Sequence, residues 1–213
     1  ARKRDGVTWT DYRTWDDRRR WEIIDGEAYN MTPAPATSHQ HVAIELLVRM
    51  HPSFRRGRCR LFPAPTDVKL SKTDIVQPDL VVVCDPKQIR PTHIEGPPRL
   101  VVEILSPSSV VHDRLRKMAL YARAGVREVW LVTPYPALVE VYALSGASYR
   151  LARSFEAKDV LRSPTFPRLR IDLAPVFSFP IPREDRIRLV KEGRPPAYRT
   201  RRTATATRQE TPR

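Results

Sequence analysis

Two acidic residues set in apolar runs are the part of this chain that could do chemistry. Asp79 lies in Gln77-Pro78-Asp79-Leu80-Val81-Val82-Val83, and Glu103 in Leu100-Val101-Val102-Glu103-Ile104-Leu105-Ser106-Pro107. Both runs read as buried β-strands. A lone carboxylate in such a strand costs several kcal/mol unless a partner or a metal compensates it. Two of them on strands that can be neighbours suggest a shared cation, the core of a metal-dependent phosphodiester-cleaving site. Mg²⁺ suits such a pair, because it is hard, takes oxygen ligands and keeps several waters, so that one or two carboxylates plus a phosphate suffice. A bound metal lowers the pKa of its water and offsets charge developing on phosphate oxygens.

The elements that must position these acids follow from pattern. Thr14 is placed to cap a short helix opening at Trp15. Trp21 to Asn30 reads as a β-hairpin turning at Asp25-Gly26, both able to take positive φ. After Pro33 and Pro35, Ser38 is expected to cap a helix running to about Met50, with Val42, Leu46 and Arg49 on one stripe. Strands are expected at Arg58–Phe62, Thr66–Leu70, Asp79–Val83 and Arg99–Leu105, the last two continuous enough to be covered on both faces. A helix from about Val111 to Ala124 should stop at Gly125, its apolar stripe being Leu115, Met118, Ala119 and Ala122. Strands Glu128–Thr133, Leu138–Ala143 and Ser148–Arg153 come next, and Leu169–Leu173 is expected to close the sheet edge. Residues 99–133 thus form a parallel crossover unit in an α/β domain with a mixed sheet.

The 213 residues suffice for one sizeable core plus tails. The expected organisation is a basic arm over 1–9, one domain over 10–180 and a basic tail over 181–213 too poor in large apolar residues to pack. The net charge is +14, of which the tail supplies +6, and that excess favours a polyanionic partner, nucleic acid above all. No apolar run approaches the roughly 20 residues that span a bilayer, and no secretory signal is visible. Cys59 and Cys84 stand in no zinc-ligand spacing and read as reduced, semi-buried residues, which fits a cytoplasmic setting. No P-loop, GxGxxG or GxSxG occurs, so nucleotide cofactors and serine hydrolysis have no support.

Taken in order, Ile24-Asp25-Gly26-Glu27, Ser38-His39-Gln40, Gln77-Pro78-Asp79, Val102 to Ser108, and Asp113, Lys117, Tyr121-Ala122 and Gly125 to Trp130 resemble the Uma2 family of the PD-(D/E)XK nuclease-like superfamily. The resemblance covers roughly residues 10–180. It implies a restriction-endonuclease-like central mixed β-sheet flanked by α-helices with an N-terminal hairpin, and Mg²⁺-dependent cleavage of DNA, with Mn²⁺ able to substitute. Asp79 and Glu103 become the metal ligands and catalytic acids.

The superfamily's usual lysine sits two residues after the second acid, where this chain has Leu105, on the same strand face as Glu103. The resemblance offers Lys117 on the following helix as the replacement, with Asp113 and Tyr121 one turn to either side. The bland alternative for Lys117 is a surface i,i+4 pair with Asp113. Lys69 and Asp67, sharing one face of the preceding strand, are a second lysine candidate and an additional ligand, while an edge-strand Lys also serves to block aggregation. His39 and Glu45 on the first long helix, and Glu27 at the hairpin's end, are further candidates. His41 and His51 read as surface histidines, and Ser106, Ser108 and Ser109 as loop and capping residues.

Three functions compete. The first is a Mg²⁺-dependent endonuclease acting on DNA. The second is a catalytically weak or inactive nuclease-like DNA-binding module, which Leu105 favours. The third is an RNA-processing hydrolase. A homodimer would supply the two active sites that double-strand cleavage needs.

Overall fold

The computed structural model describes residues 6–16, 19–31, 34–105 and 116–180. The first helix is α1 (Trp9–Tyr12). The Thr8 hydroxyl accepts from Asp11 N–H while the Asp11 carboxylate takes Thr8 N–H, a complete capping box. The helix therefore opens at Trp9 and not at Trp15, which instead packs edge-on against Trp21. Residues 6–9, placed in the arm by sequence, are tied to the fold, Val7 N–H donating to Gly26 O and Trp9 N–H to Lys72 O.

Strands β1 (Trp21–Ile24) and β2 (Glu27–Asn30) form the expected hairpin, with Asp25 and Gly26 at φ 53° and 77°. Helix α2 (Thr37–Phe54) runs longer than expected. Its N-cap is Ala36, Ser38 lies in its first turn, and it passes through Pro52.

Then come β3 (Arg60–Pro63), β4 (Val68–Lys69), β5 (Ile75–Val76) and β6 (Leu80–Val83). A 3-10 turn (Pro86–Gln88) precedes β7 (Ile94–Glu95) and β8 (Leu100–Ile104). Helix α3 (Met118–Ala124) ends at Gly125, φ 88°. The chain continues as β9 (Glu128–Thr133), β10 (Leu138–Ser145), β11 (Ser148–Glu156), β12 (Val160–Arg162) and β13 (Arg170–Asp172).

These strands build two main sheets. The larger, in the order β11-β10-β9-β8-β6-β3, is mixed. Its β8 and β9 are parallel, Leu100 facing Glu128 and Ile104 facing Val132, with α3 on the crossover between them as the pattern requires. The smaller, β2-β1-β5-β4-β7, contains the hairpin. The segment expected to close the main edge instead pairs with β12 as a separate ribbon. The reason is apolar: Leu161, Leu169, Ile171 and Leu173 are buried against the core between α2 and the large sheet.

Side-chain alternation explains why β6 and β8 are apolar throughout. Leu80, Val82, Leu100, Val102 and Ile104 face α2 through Val42, Leu46, Met50 and Phe54. Val81, Val83, Val101 and Leu105 face the other way, toward Leu120 and Tyr121 of α3 and toward Ile24, Val68, Val76 and Ile94 of the smaller sheet. Each fully buried side chain of this kind contributes about 1.5–3 kcal/mol. The smaller sheet's outer face (Trp21, Ile23, Ala28, Ile75) is covered by Val7, Trp9, Tyr12 and Trp15.

Two further ties fix the sheets. Cys59 and Cys84 are joined by a disulfide, which corrects the expectation of two reduced thiols. Arg60 pairs with Val83, so Cys59 and Cys84 stand opposite each other at the next position, with Cα atoms 3.9 Å apart. A spacing of 25 residues does not reveal that register. Glu128, fully buried, accepts from Trp130 Nε1 (2.5 Å), Ser163 Oγ (2.8 Å) and Thr165 N (2.8 Å), and so fastens the ribbon's connecting loop to the large sheet.

Candidate active site

Alternation along β8 turns Glu103, with Val101 and Leu105, toward the smaller sheet and α3. Its side chain is 5% exposed. Lys117 Nζ lies 3.2 and 3.3 Å from its two oxygens, and Tyr121 OH donates to Oε1 at 2.5 Å. Lys117 and Tyr121 are four residues apart, so one turn of helix brings both to the same carboxylate. Burial, and after it the Glu103 charge, holds the Tyr121 phenol well above its ordinary pKa, so it remains a donor.

Lys117 has a second anionic partner. Glu22, from β1, places Oε1 2.8 Å from its ammonium and also accepts Gln77 N–H at 2.9 Å. The ammonium is therefore held between carboxylates from the two sheets. Breaking such a buried pair leaves an uncompensated charge, which is why this Lys turns inward. Of the stripe expected on this helix, Met118 packs against the core, Ala119 is exposed and Leu115 lies outside the described residues; Lys117, Leu120 and Tyr121 are its fully buried side chains.

Asp79 closes the open end of the cluster. Leu80 pairs with Val102, which sets Asp79 across from Glu103, and Asp79 Oδ2 accepts Ile104 N–H at 2.7 Å. His39, carried here by the first turn of α2, approaches the same oxygen with Nε2 at 3.2 Å. Its Nδ1 is buried with no hydrogen-bond partner among the described residues. The Asp79 side chain is 19% exposed and is the cluster's contact with solvent.

Glu22 and Glu103 flank one ammonium, and Asp79 stands opposite Glu103 in the strand register, so hard oxygen donors dominate this centre. That composition suits a divalent cation such as Mg²⁺, which needs only one or two carboxylates. Among the described residues no three His, Cys, Asp or Glu side chains form a ready-made ion cage.

Other sequence candidates fall at varying distances from this centre. Glu27 is exposed and accepts from Tyr29 OH at 2.6 Å; Arg116 donates to the same hydroxyl at 2.5 Å and stacks over its ring. Glu27 thus reaches the cluster only through Tyr29 and the residue before Lys117. Burial, then the Glu27 bond, pushes Tyr29 up to about 12.

Asp67 accepts from Tyr12 OH (3.3 Å) and Gln77 Nε2 (2.8 Å), and Gln77 in turn touches Glu22. Lys69 lies with Ile75 on the smaller sheet's outer side and pairs with Glu95 at 2.9 Å, not with Glu103. His93 shares that Glu95, and the hydrogen bonds from His93 and Lys69 lower its pKa. Glu45 pairs with Arg49. His41 is half-buried against Phe179. Asp113, Ser106, Ser108 and Ser109 lie outside the described residues.

Glu22 is the site residue that sequence reasoning missed. Its signal was available: like Glu103, it is an acid with apolar residues on both sides, Trp21 and Ile23-Ile24.

Comparison with known proteins agrees with this architecture. Residues 9–174 match the Uma2 family, described as "Putative restriction endonuclease". "Uncharacterized protein slr1290" of Synechocystis is 27% identical over 142 residues, 66% of this chain and 74% of that protein. The crystal structure of "a putative nuclease belonging to DUF820" from Anabaena variabilis superposes with a TM-score of 0.66 at 19% identity, covering 81% of this chain and 98% of the other. At that identity the likeness is one of fold.

Proposed function

The chain belongs to the Uma2 family, and from that premise we propose that it is a Mg²⁺-dependent endonuclease hydrolysing phosphodiester bonds of DNA. The observation that supports the proposal is the Lys117–Glu103 ion pair with Asp79 opposite Glu103 in the β6–β8 register, its carboxylate bonded to Ile104 N–H. Asp79 and Glu103 are the residues that would hold Mg²⁺, and Mn²⁺ would accept the same oxygens. When bound, the metal supplies an acidified water and charge compensation at phosphate.

The chain's own residues have separable tasks. Lys117 takes the place of the lysine that Leu105 displaces, presenting its ammonium beside Glu103. Glu22 positions Lys117, and Tyr121 fixes the rotation of the Glu103 carboxylate. His39 holds Asp79 from outside. A homodimer would place two such sites on one duplex, and a cytoplasmic setting belongs to the same proposal.

A second reading, the inactive DNA-binding module, is favoured by one feature: Lys117 is almost wholly buried and already neutralised by two carboxylates. Incubating supercoiled plasmid and single-stranded DNA with wild type, Asp79→Ala and Glu103→Ala, under Mg²⁺, Mn²⁺ or EDTA, separates the two. The endonuclease nicks DNA only with metal, and both variants lose nicking and calorimetric Mg²⁺ binding while circular dichroism shows them folded. Cleavage surviving in Glu103→Ala, or absent from wild type with salt-sensitive binding retained, sinks the proposal. Matched RNA substrates test the remaining hydrolase reading.

A further inference from the structure

We infer that a cleft at the opposite end of β8 from Glu103 binds backbone phosphates of nucleic acid, as an anchor separate from the carboxylate cluster. The inference deepens the nuclease reading and rests on it.

The cleft, of about 520 Å³, is lined by Arg58, Arg99 and Arg127 together with Asp85, Gln88 and Thr165. Leu100 pairs with Glu128 in the parallel register, so Arg99 and Arg127, each one residue earlier, enter the sheet side by side. Neighbouring strands are about 4.8 Å apart, and like charges at that spacing repel. Both arginines are exposed, and neither guanidinium has a hydrogen bond or ion pair among the described residues.

Arg58 comes from across β6, its Nε donating to Cys84 O at 3.0 Å and leaving its terminal nitrogens unassigned. The single acid on the lining, Asp85, spends Oδ1 on Lys87 N–H at 3.0 Å, where it caps the 3-10 turn. Folding gives no reason for three arginines to converge here. A shared anion does, since guanidinium groups match phosphate oxygens in bidentate geometry.

The cleft suits a backbone more than a small free anion. Its cations are solvent-exposed, and no buried polar group stands ready to desolvate a compact ligand. Arg99 and Glu103 are four steps apart along the extended chain, about 13 Å at roughly 3.3 Å per residue. That is close to the rise of about four base pairs. Because β8 is buried on both faces, a duplex reaches from one site to the other only around the surface. The arginines therefore grip DNA flanking the phosphate that is cut, and their contribution grows with substrate length.

The test uses the full chain in EDTA and follows fluorescence anisotropy of duplexes of about ten and about thirty base pairs across a salt series. Arg99→Ala/Arg127→Ala should weaken the longer duplex at least tenfold, the shorter one much less, and flatten the slope of log K against log salt by nearly 2. Arg150→Ala/Arg153→Ala, exposed on β11, removes the same charge elsewhere and should change either affinity by less than about threefold. Equal losses in the two double variants, or none in the first, overturn the anchor while leaving the nuclease reading intact. A wild type that binds no DNA at any salt overturns both. Inorganic phosphate shifting the Arg99 and Arg127 Nε–H resonances when duplex does not would make the cleft a free-anion site and overturn the anchor.

Discussion

Replacing Lys117 by Met keeps the length and apolar character of its stem and removes only the cation between Glu22 and Glu103. Lys117 is 3% exposed, with Nζ 2.8 Å from one carboxylate and 3.2 Å from the other. Removing one member of a buried pair costs about 3–5 kcal/mol, because the remaining charges stay desolvated and, here, face each other. Against a total stability of about 5–15 kcal/mol, that is a large fraction. A surface Asp113–Lys117 pair would instead be worth about 0.3–0.5 kcal/mol, so the two descriptions of Lys117 differ roughly tenfold.

Urea unfolding at neutral pH, followed by far-UV circular dichroism with the disulfide intact, reads the difference. The Lys117→Met midpoint should fall by the larger amount with the slope unchanged. Adding Glu22→Gln should restore at least about 1 kcal/mol through the pairwise coupling. A Lys117→Met protein within about 0.5 kcal/mol of wild type refutes the buried bridge and returns Lys117 to the surface.

Three other outcomes follow from the structure. Glu128→Ala leaves Trp130 Nε1–H, Ser163 Oγ–H and Thr165 N–H without their acceptor; it should cost at least about 3 kcal/mol and open residues 157–169 to limited proteolysis. Reducing the Cys59–Cys84 bond, which closes a separation of 25 residues, should lower stability by about 3–4 kcal/mol in the loop-entropy account, measured as a shift in urea midpoint with and without reductant. Tyr12 and Tyr29 are pushed up to about 12, chiefly by burial, and Tyr121 and Tyr149 are raised as well. A raised phenol stabilises fully below the unfolded value of 10.0 and loses that contribution as pH rises through its folded value. Stability should therefore decline above pH 10, and phenolate absorbance should show these four ionising above the unfolded value of 10.0 as long as the protein stays folded.

The central strands, the crossover and the hairpin were legible because each is announced locally. Val/Leu/Ile runs, a Gly125 stop and an Asp25-Gly26 turn need no partner to be recognised. That Asp79 and Glu103 lie on neighbouring strands was legible because both sit in apolar runs typical of central strands. The disulfide was not, since it depends on the β3–β6 register and not on spacing. The face of α3 was misread for the opposite reason. Apolar counting assigned Lys117 to solvent, but two acids distant in sequence make its burial favourable. Glu22 was not singled out although its apolar flanks match those of Glu103, and only the stacking of the two sheets shows what it faces. Lys69 and Asp67 were read as sharing one face of the preceding strand; they do share a side, but it is the smaller sheet's outer one, where Lys69 meets Glu95 and Asp67 meets Tyr12.

The bridge between Glu22 and Lys117 also has a consequence for the order of assembly. The hairpin and strands β3 to β8 are made before the ribosome reaches residue 117. Until then Glu22 and Glu103 are two anions that must remain hydrated, so the sheets carrying them cannot close over each other. Lys117 arrives on the crossover helix that leads directly into β9. The electrostatic condition for closing the layers and the last central strand of the large sheet therefore emerge together. A chain interrupted before this point holds most of its apolar residues but lacks the charge that lets them seal, and should expose that surface to chaperones or to its neighbours.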